Sequence, residues 1–165
     1  MSVIRGFIFD LDDTLFDCTG QLTEPARLRA AEILAANIPE ATTQGLASLQ
    51  TDLSDRLGSS GAIREIGSRY GLTPSVVEEA LTIYNRDDVP DILPYPDVIE
   101  TLQSLAEANK ILLLVTTGRP NRQLAKIERL GLSPFFENGQ KEGVSYYVPD
   151  CSLFLCKDFS DRPKT

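Results

Sequence analysis

Ile8-Phe9-Asp10-Leu11-Asp12-Asp13-Thr14-Leu15 decides how the chain is read, because an apolar run ends there abruptly in carboxylates. The run starts at Val3, is interrupted only by Arg5 and Gly6, and closes as Phe7-Ile8-Phe9 without alternation. A strand covered on both faces of a parallel sheet reads this way, since neither face calls for a polar side chain. Ligands of open parallel sheets lie beyond the carboxyl ends of the strands, where Asp10 falls. With one residue between them, Asp10 and Asp12 point the same way in an extended chain, and both can meet one hard cation through oxygen. Two carboxylates in so small a space are unfavourable unless a cation neutralises them or one holds a proton. The pair suits phosphoryl transfer: Asp10 as a nucleophile that forms an aspartyl-phosphate, Asp12 as the group that protonates the leaving oxygen and later deprotonates water. Taken alone, the same residues also read as an acidic turn that caps whatever follows.

A second continuous apolar run, Ile111-Leu112-Leu113-Leu114-Val115, is closed by Thr116-Thr117-Gly118. Asp10-Leu11-Asp12-Asp13-Thr14-Leu15 after an N-terminal strand resembles the first motif of the haloacid dehalogenase-like hydrolase superfamily, and Thr116-Thr117-Gly118 resembles its second. Ile92-Leu93-Pro94-Tyr95-Pro96-Asp97-Val98 and the helix with Leu102 and Leu105 resemble the segment leading into the second strand. Arg122 to Leu132, followed by Phe135-Phe136, resembles the helix after it. The resemblance covers residues 1–18 and 92–137. It implies magnesium as cofactor, held by Asp10 and Asp12, and a Thr116 hydroxyl that hydrogen-bonds the transferring phosphoryl group. It also implies substrate contacts from Thr14, Thr117 and Gly118. The third motif is a lysine that pairs with the phosphoryl group and the nucleophile. Lys164 fits its usual spacing better than Lys157, which directly ends the apolar run Ser152-Leu153-Phe154-Leu155-Cys156. The fourth motif, an acidic pair after one more strand, has no counterpart before Thr165, and Asp158 and Asp161 lack the strand and helix it requires.

Composition narrows the alternatives. The 165 residues are 42% hydrophobic and 24% charged, enough for a core without staples. A formal net charge of −8 argues against nucleic acid or an anionic membrane as partner. A phosphorylated substrate is anionic as well, so a bound metal has to supply the positive charge. The chain has no histidine, which excludes Ser-His-Asp and Cys-His catalysis and most zinc sites. Cys18, Cys151 and Cys156 lack paired zinc spacing and read as reduced cytosolic thiols. No apolar run approaches the length of a membrane span, and the N-terminus reads as a core strand rather than a signal peptide.

Residues 21–90 read as helices. Thr23 before Glu24-Pro25 is the expected N-cap of one, with Leu28, Ala31, Leu34 and Ala35 inward. Leu46, Leu49, Leu53 and Leu57 keep helical spacing until Gly58-Ser59-Ser60-Gly61 breaks it. Ile63, Ile66 and Tyr70 follow, stopped by Gly71, and Thr73-Pro74 opens a fourth helix with Val77, Ala80, Leu81 and Tyr84 inward. By resemblance this insert is a helical cap that closes over the site; read alone, it is another packed layer. Arg27, Arg56, Arg64 and Arg69 are its cations, read as solvated helix faces rather than substrate contacts.

The expectation is an α/β fold: a doubly wound, Rossmann-like parallel sheet with helices on both faces, residues 1–18 and 92–165 forming a core that lacks its C-terminal part, and residues 19–91 a small all-α cap. The expected function is magnesium-dependent hydrolysis of a small phosphate monoester in the cytoplasm. A phosphomutase shares the same residues, and a catalytically impaired relative acting as a binding or regulatory protein is the alternative from another class. A sheet edge left open beside the first strand invites self-association or a partner chain.

Overall fold

The computed structural model of the chain describes residues 4–86, 88–136 and 152–158, the last by backbone alone. The chain divides into two compact units, Met1–Cys18 with Asp88–Thr165, and Thr19–Asp87.

The first unit is α/β. Strand β1 (Gly6–Phe9) lies parallel to β2 (Ile111–Thr117), with Gly6 opposite Ile111 and Phe9 opposite Leu114. Strand β3 (Ser152–Asp158) flanks β2 on the other side and runs antiparallel, Ile111 opposite Asp158 and Thr117 opposite Ser152. Among the described strands the parallel pairing expected from the sequence is that of β1 with β2, and β3 departs from it by running antiparallel. Among the described residues the two faces differ in cover. Side chains alternate along a strand, so Phe7 and Phe9 share one face with Leu112 and Leu114 of the neighbouring strand. On that face Leu112 and Leu114 are fully buried, Phe7 stacks on Phe9 at 6.5 Å, and Phe9 meets the edge of Phe136 at 6.2 Å. The other face carries Ile8, 72% exposed, and Val115, 39% exposed. An unbroken apolar run cannot report that difference.

Helix α4 (Val98–Glu107) buries Val98, Leu102 and Ala106, one stripe at a spacing of four, and packs on β2. Its end turns through Asn109, at φ 54°, with Lys110 N–H donating to the Leu105 carbonyl, and β2 begins at the next residue. Helix α5 (Pro120–Arg129) also packs on β2. It starts with proline at its first position, where the missing N–H costs nothing.

The second unit is helical throughout: α1 (Glu24–Ala35), α2 (Thr43–Arg69) and α3 (Pro74–Tyr84). Ala30, Ala31, Leu34, Leu46, Leu53, Ile63, Ile66, Ala80 and Leu81 form its core. The break expected at Gly58 is a kink inside α2, where the residue takes φ 67° and ψ 165°, a conformation open to glycine and unfavourable for other residues. Two expectations fail. Thr23 is not a capping residue, since it has helical angles and makes no side-chain cap bond. The chain enters α1 already coiled, from a π-helical turn at Thr19–Thr23, so there is no open helix end to cap. Leu28 is 38% exposed, and Ala26 and Ala30 are buried in its place.

Candidate active site

The parallel register sets the site. With Phe9 opposite Leu114, Asp10 and Thr116 fall at the same carboxyl edge of adjacent strands. Asp10 is exposed there. The chain then folds back at once: Leu11 is fully buried, Asp13 takes φ 57°, and the Leu15 N–H donates to the Leu11 carbonyl at 3.0 Å. Phe16 bridges both Asp12 and Pro94, and Tyr95 N–H donates to the Leu15 carbonyl at 3.0 Å, which ties this turn to the segment before α4. Thr14 is exposed on the turn.

Thr116 lies on the covered face of β2, two residues beyond Leu114, and is 2% exposed. Its hydroxyl meets α5. Gln123 and Lys126, one helical turn apart, occupy the stripe of α5 that continues as Ile127 and Leu130, and all four are buried. The Gln123 amide nitrogen lies 2.7 Å from the Thr116 hydroxyl, 2.8 Å from the Thr117 carbonyl and 3.2 Å from Asp12 Oδ2. Lys126 Nζ donates to both oxygens of Asp12, at 2.8 Å and 2.9 Å. The Lys126 side chain is 6% exposed and that of Asp12 33%, so the ammonium is the more deeply desolvated partner. Phe16 supports it with a ring face 5.8 Å away, and the Cys18 sulfur lies at 3.8 Å. Burial, followed by the charge of Asp12, pushes the Cys18 thiol up to about 11, while Lys126 acts in the opposite direction. Gly118 takes φ 124° and packs beside the Gln123 amide, which a Cβ would meet at 3.5 Å.

Of the residues expected to act, Asp10, Asp12, Thr116, Thr117 and Gly118 thus share one sheet edge with α5. Lys164 lies outside the described residues, and Lys157 is placed by its backbone on β3, opposite Leu112. Gln123 and Lys126 escaped the sequence reading. The signal was present, because positions 123, 126, 127 and 130 form one inward stripe and two of them are polar, yet a glutamine and a lysine on an amphipathic helix pass for its solvated face. The arginines of the helical unit behave as ordinary surface charge where partners are seen, Arg64 with Glu78 at 2.7 Å and Arg69 with Glu65 at 3.1 Å, both pairs well exposed.

For a hard divalent cation the donor type fits, since Asp10 presents a carboxylate at the sheet edge. The number of donors is small: among the described residues no cluster of three or more carboxylate, thiol or imidazole side chains gathers. Both oxygens of Asp12 are engaged by Lys126, which competes with a cation for them. No helix among the described residues is long and apolar enough to cross a membrane.

The α/β unit thus gathers two carboxylates, a strand-end hydroxyl and a buried ammonium at one sheet edge. In comparison with known proteins, the haloacid dehalogenase-like hydrolase family matches residues 4–158, and the chain belongs to that family. It is 28% identical to a glyceraldehyde 3-phosphate phosphatase of Methanocaldococcus jannaschii over 150 residues, 82% of this chain and 61% of the relative. A glyceraldehyde 3-phosphate phosphatase of Methanopyrus kandleri is 32% identical over 170 aligned positions, 93% of this chain and 68% of the relative. A phosphoglycolate phosphatase of Agrobacterium fabrum is 28% identical, with 78% of this chain and 54% of the relative aligned. The chain therefore spans between about half and two thirds of the length of these relatives.

Proposed function

We propose that the protein hydrolyses a small phosphate monoester through Asp10, with Asp12 as the proton-transfer group. The observation that supports this reading is the register of β1 on β2, which sets Asp10 and the buried Thr116 at the carboxyl ends of adjacent strands. In the first half of the reaction an Asp10 oxygen attacks phosphorus, the ester P–O bond breaks, and Asp12, which enters this step as the carboxylic acid, gives its proton to the departing alcohol oxygen and is left as the carboxylate. In the second half Asp12 takes a proton from water as that water attacks phosphorus, which releases phosphate and restores the Asp10 carboxylate. Thr116 hydrogen-bonds a phosphoryl oxygen, and Thr14, Thr117 and Gly118 border the place where it sits. Asp10 and Asp12 would hold magnesium, which would supply positive charge against the phosphoryl group. For the third-motif lysine, Lys164, which lies outside the described residues, is preferred over Lys157 by its spacing.

The helical unit acts as the cap of a core of the doubly wound type, and closure excludes bulk water. The names of the relatives point to phosphorylated acids and aldehydes of two or three carbons as the substrate class. The setting is cytoplasmic, without nucleic acid or membrane as partner, and β1, the edge strand among the described strands, invites a second copy of the chain. The test is a screen of glyceraldehyde 3-phosphate, phosphoglycolate, sugar phosphates and nucleotides, with magnesium and with chelator. Release of phosphate only with magnesium is the expected result; release that survives chelation, or transfer to a second hydroxyl instead of water, overturns it.

A further inference from the structure

We infer that Gln123 is a positioning residue that makes the Thr116 hydroxyl a donor toward the phosphoryl group. This assignment rests on the phosphatase reading above and adds a component to it. The amide nitrogen of Gln123 has three oxygens within reach: the Thr116 hydroxyl at 2.7 Å, the Thr117 carbonyl at 2.8 Å and Asp12 Oδ2 at 3.2 Å. The Thr117 carbonyl only accepts, so the end of the amide that faces it has to be –NH2 and not the oxygen. Two hydrogens serve three acceptors. The two short contacts, to Thr116 and Thr117, take the larger share, and Asp12 keeps its two Lys126 bonds in any case.

The consequence falls on Thr116. Its oxygen accepts from Gln123, and an –NH2 group that is donating offers nothing for the hydroxyl hydrogen to bond. That hydrogen must turn elsewhere. A hydroxyl held as acceptor on one side is oriented and polarised as donor on the other, and the two bonds reinforce each other in a buried setting. Thr116 and Gln123 are each 2% exposed, so water does not compete for this bond. Gln123 thus fixes in advance the direction of a donor that a free threonine rotor would have to find during the reaction.

The experiment is a double-mutant cycle with Thr116→Val and Gln123→Met on the full chain, the latter preserving length and apolar packing while removing the –NH2. With the best substrate of the screen, Gln123→Met is expected to lower kcat about tenfold at little change in KM, and to lower it less than twofold when Thr116 is already valine. Gln123→Glu, which keeps the shape but makes Thr116 donate inward, is expected to lower kcat further than methionine does. A second readout does not depend on turnover: calorimetric binding of tungstate, a tetrahedral oxyanion, in the presence of magnesium. The same coupling is expected there, a loss on Gln123→Met that disappears in the Thr116→Val background. Equal losses in both backgrounds, in kcat or in tungstate affinity, overturn the role of Gln123 while leaving the phosphatase reading intact. A parent protein that binds no tungstate and turns over no substrate removes both. Circular dichroism of each variant separates loss of fold from loss of position; if Gln123→Met does not fold, Gln123→Glu carries the cycle against Thr116→Val.

Discussion

Removing the carboxylate of Asp12 should destabilise the α/β unit more than removing the ammonium that pairs with it. The pair is asymmetric: the Lys126 side chain is 6% exposed and Asp12 33%. Among the described residues, Asp12→Ala leaves the buried ammonium with the Cys18 sulfur at 3.8 Å and the face of Phe16 at 5.8 Å. Breaking a buried pair in this way costs about 3 kcal/mol, the charge left behind being the main part of the cost. Lys126→Met fills the same slot with an apolar chain, and the Asp12 carboxylate, one third exposed, rehydrates; a loss of about 1 kcal/mol is expected. It follows that Lys126→Met introduced into Asp12→Ala should restore about 1 to 2 kcal/mol rather than subtract more. Because the chain has two compact units, a single unfolding transition is not assured. Urea titration by circular dichroism should accordingly be joined to hydrogen exchange of the α5 amides, which reports the unit that holds the pair. A double variant less stable than Asp12→Ala, with the two losses adding, would show that the uncompensated ammonium is not what makes the single change costly.

The other expectations are brief. Asp10→Asn should abolish turnover and keep the fold, since the amide preserves shape and removes the nucleophile; activity within about tenfold of the parent, no more than ~1.4 kcal/mol on the barrier, is incompatible with Asp10 as nucleophile. Asp12→Asn should slow alkyl phosphates far more than aryl phosphates, because only a poor leaving group needs a proton, and equal slowing contradicts the acid role. Gly118→Ala should cost about 1–2 kcal/mol, because φ 124° strains any residue with a Cβ even though the contact to Gln123 at 3.5 Å is ordinary; an unchanged urea midpoint refutes that. Cys18, raised from 9.0 to about 11, should react with iodoacetamide at pH 8 far more slowly than a free cysteine, as peptide mass mapping would read directly. For stability the sign is negative: between pH 9 and about 11 the unfolded thiol loses its proton first, so stability falls with pH across that window, and Cys18→Ala should flatten the fall.

What the sequence disclosed and what it concealed follow from one physical distinction. The ends of β1 and β2 were legible because a buried strand that stops at a carboxylate or a hydroxyl breaks an apolar pattern, and the break is local. The same holds for the Gly58 kink and for Pro74 at the start of α3, where one residue's backbone preference decides the conformation. Orientation and coverage were not legible. Val3 to Phe9 reads as covered on both faces, yet whether Ile8 meets a partner depends on segments distant in the chain. The antiparallel entry of β3 has no local mark either, since Ser152 to Asp158 would alternate in the same way against β2 in either direction. The polar side of α5 shows the limit most clearly. Gln123 and Lys126 sit 111 and 114 residues from the Asp12 they contact, and nothing near them in sequence says that an amide and an ammonium face inward. Only the inward stripe completed by Ile127 and Leu130 hints at it. A buried lysine calls for an anion, and among the described residues its ion-pair partner is the carboxylate already singled out at position 12, so a helix read as structural support also holds the end of the first motif.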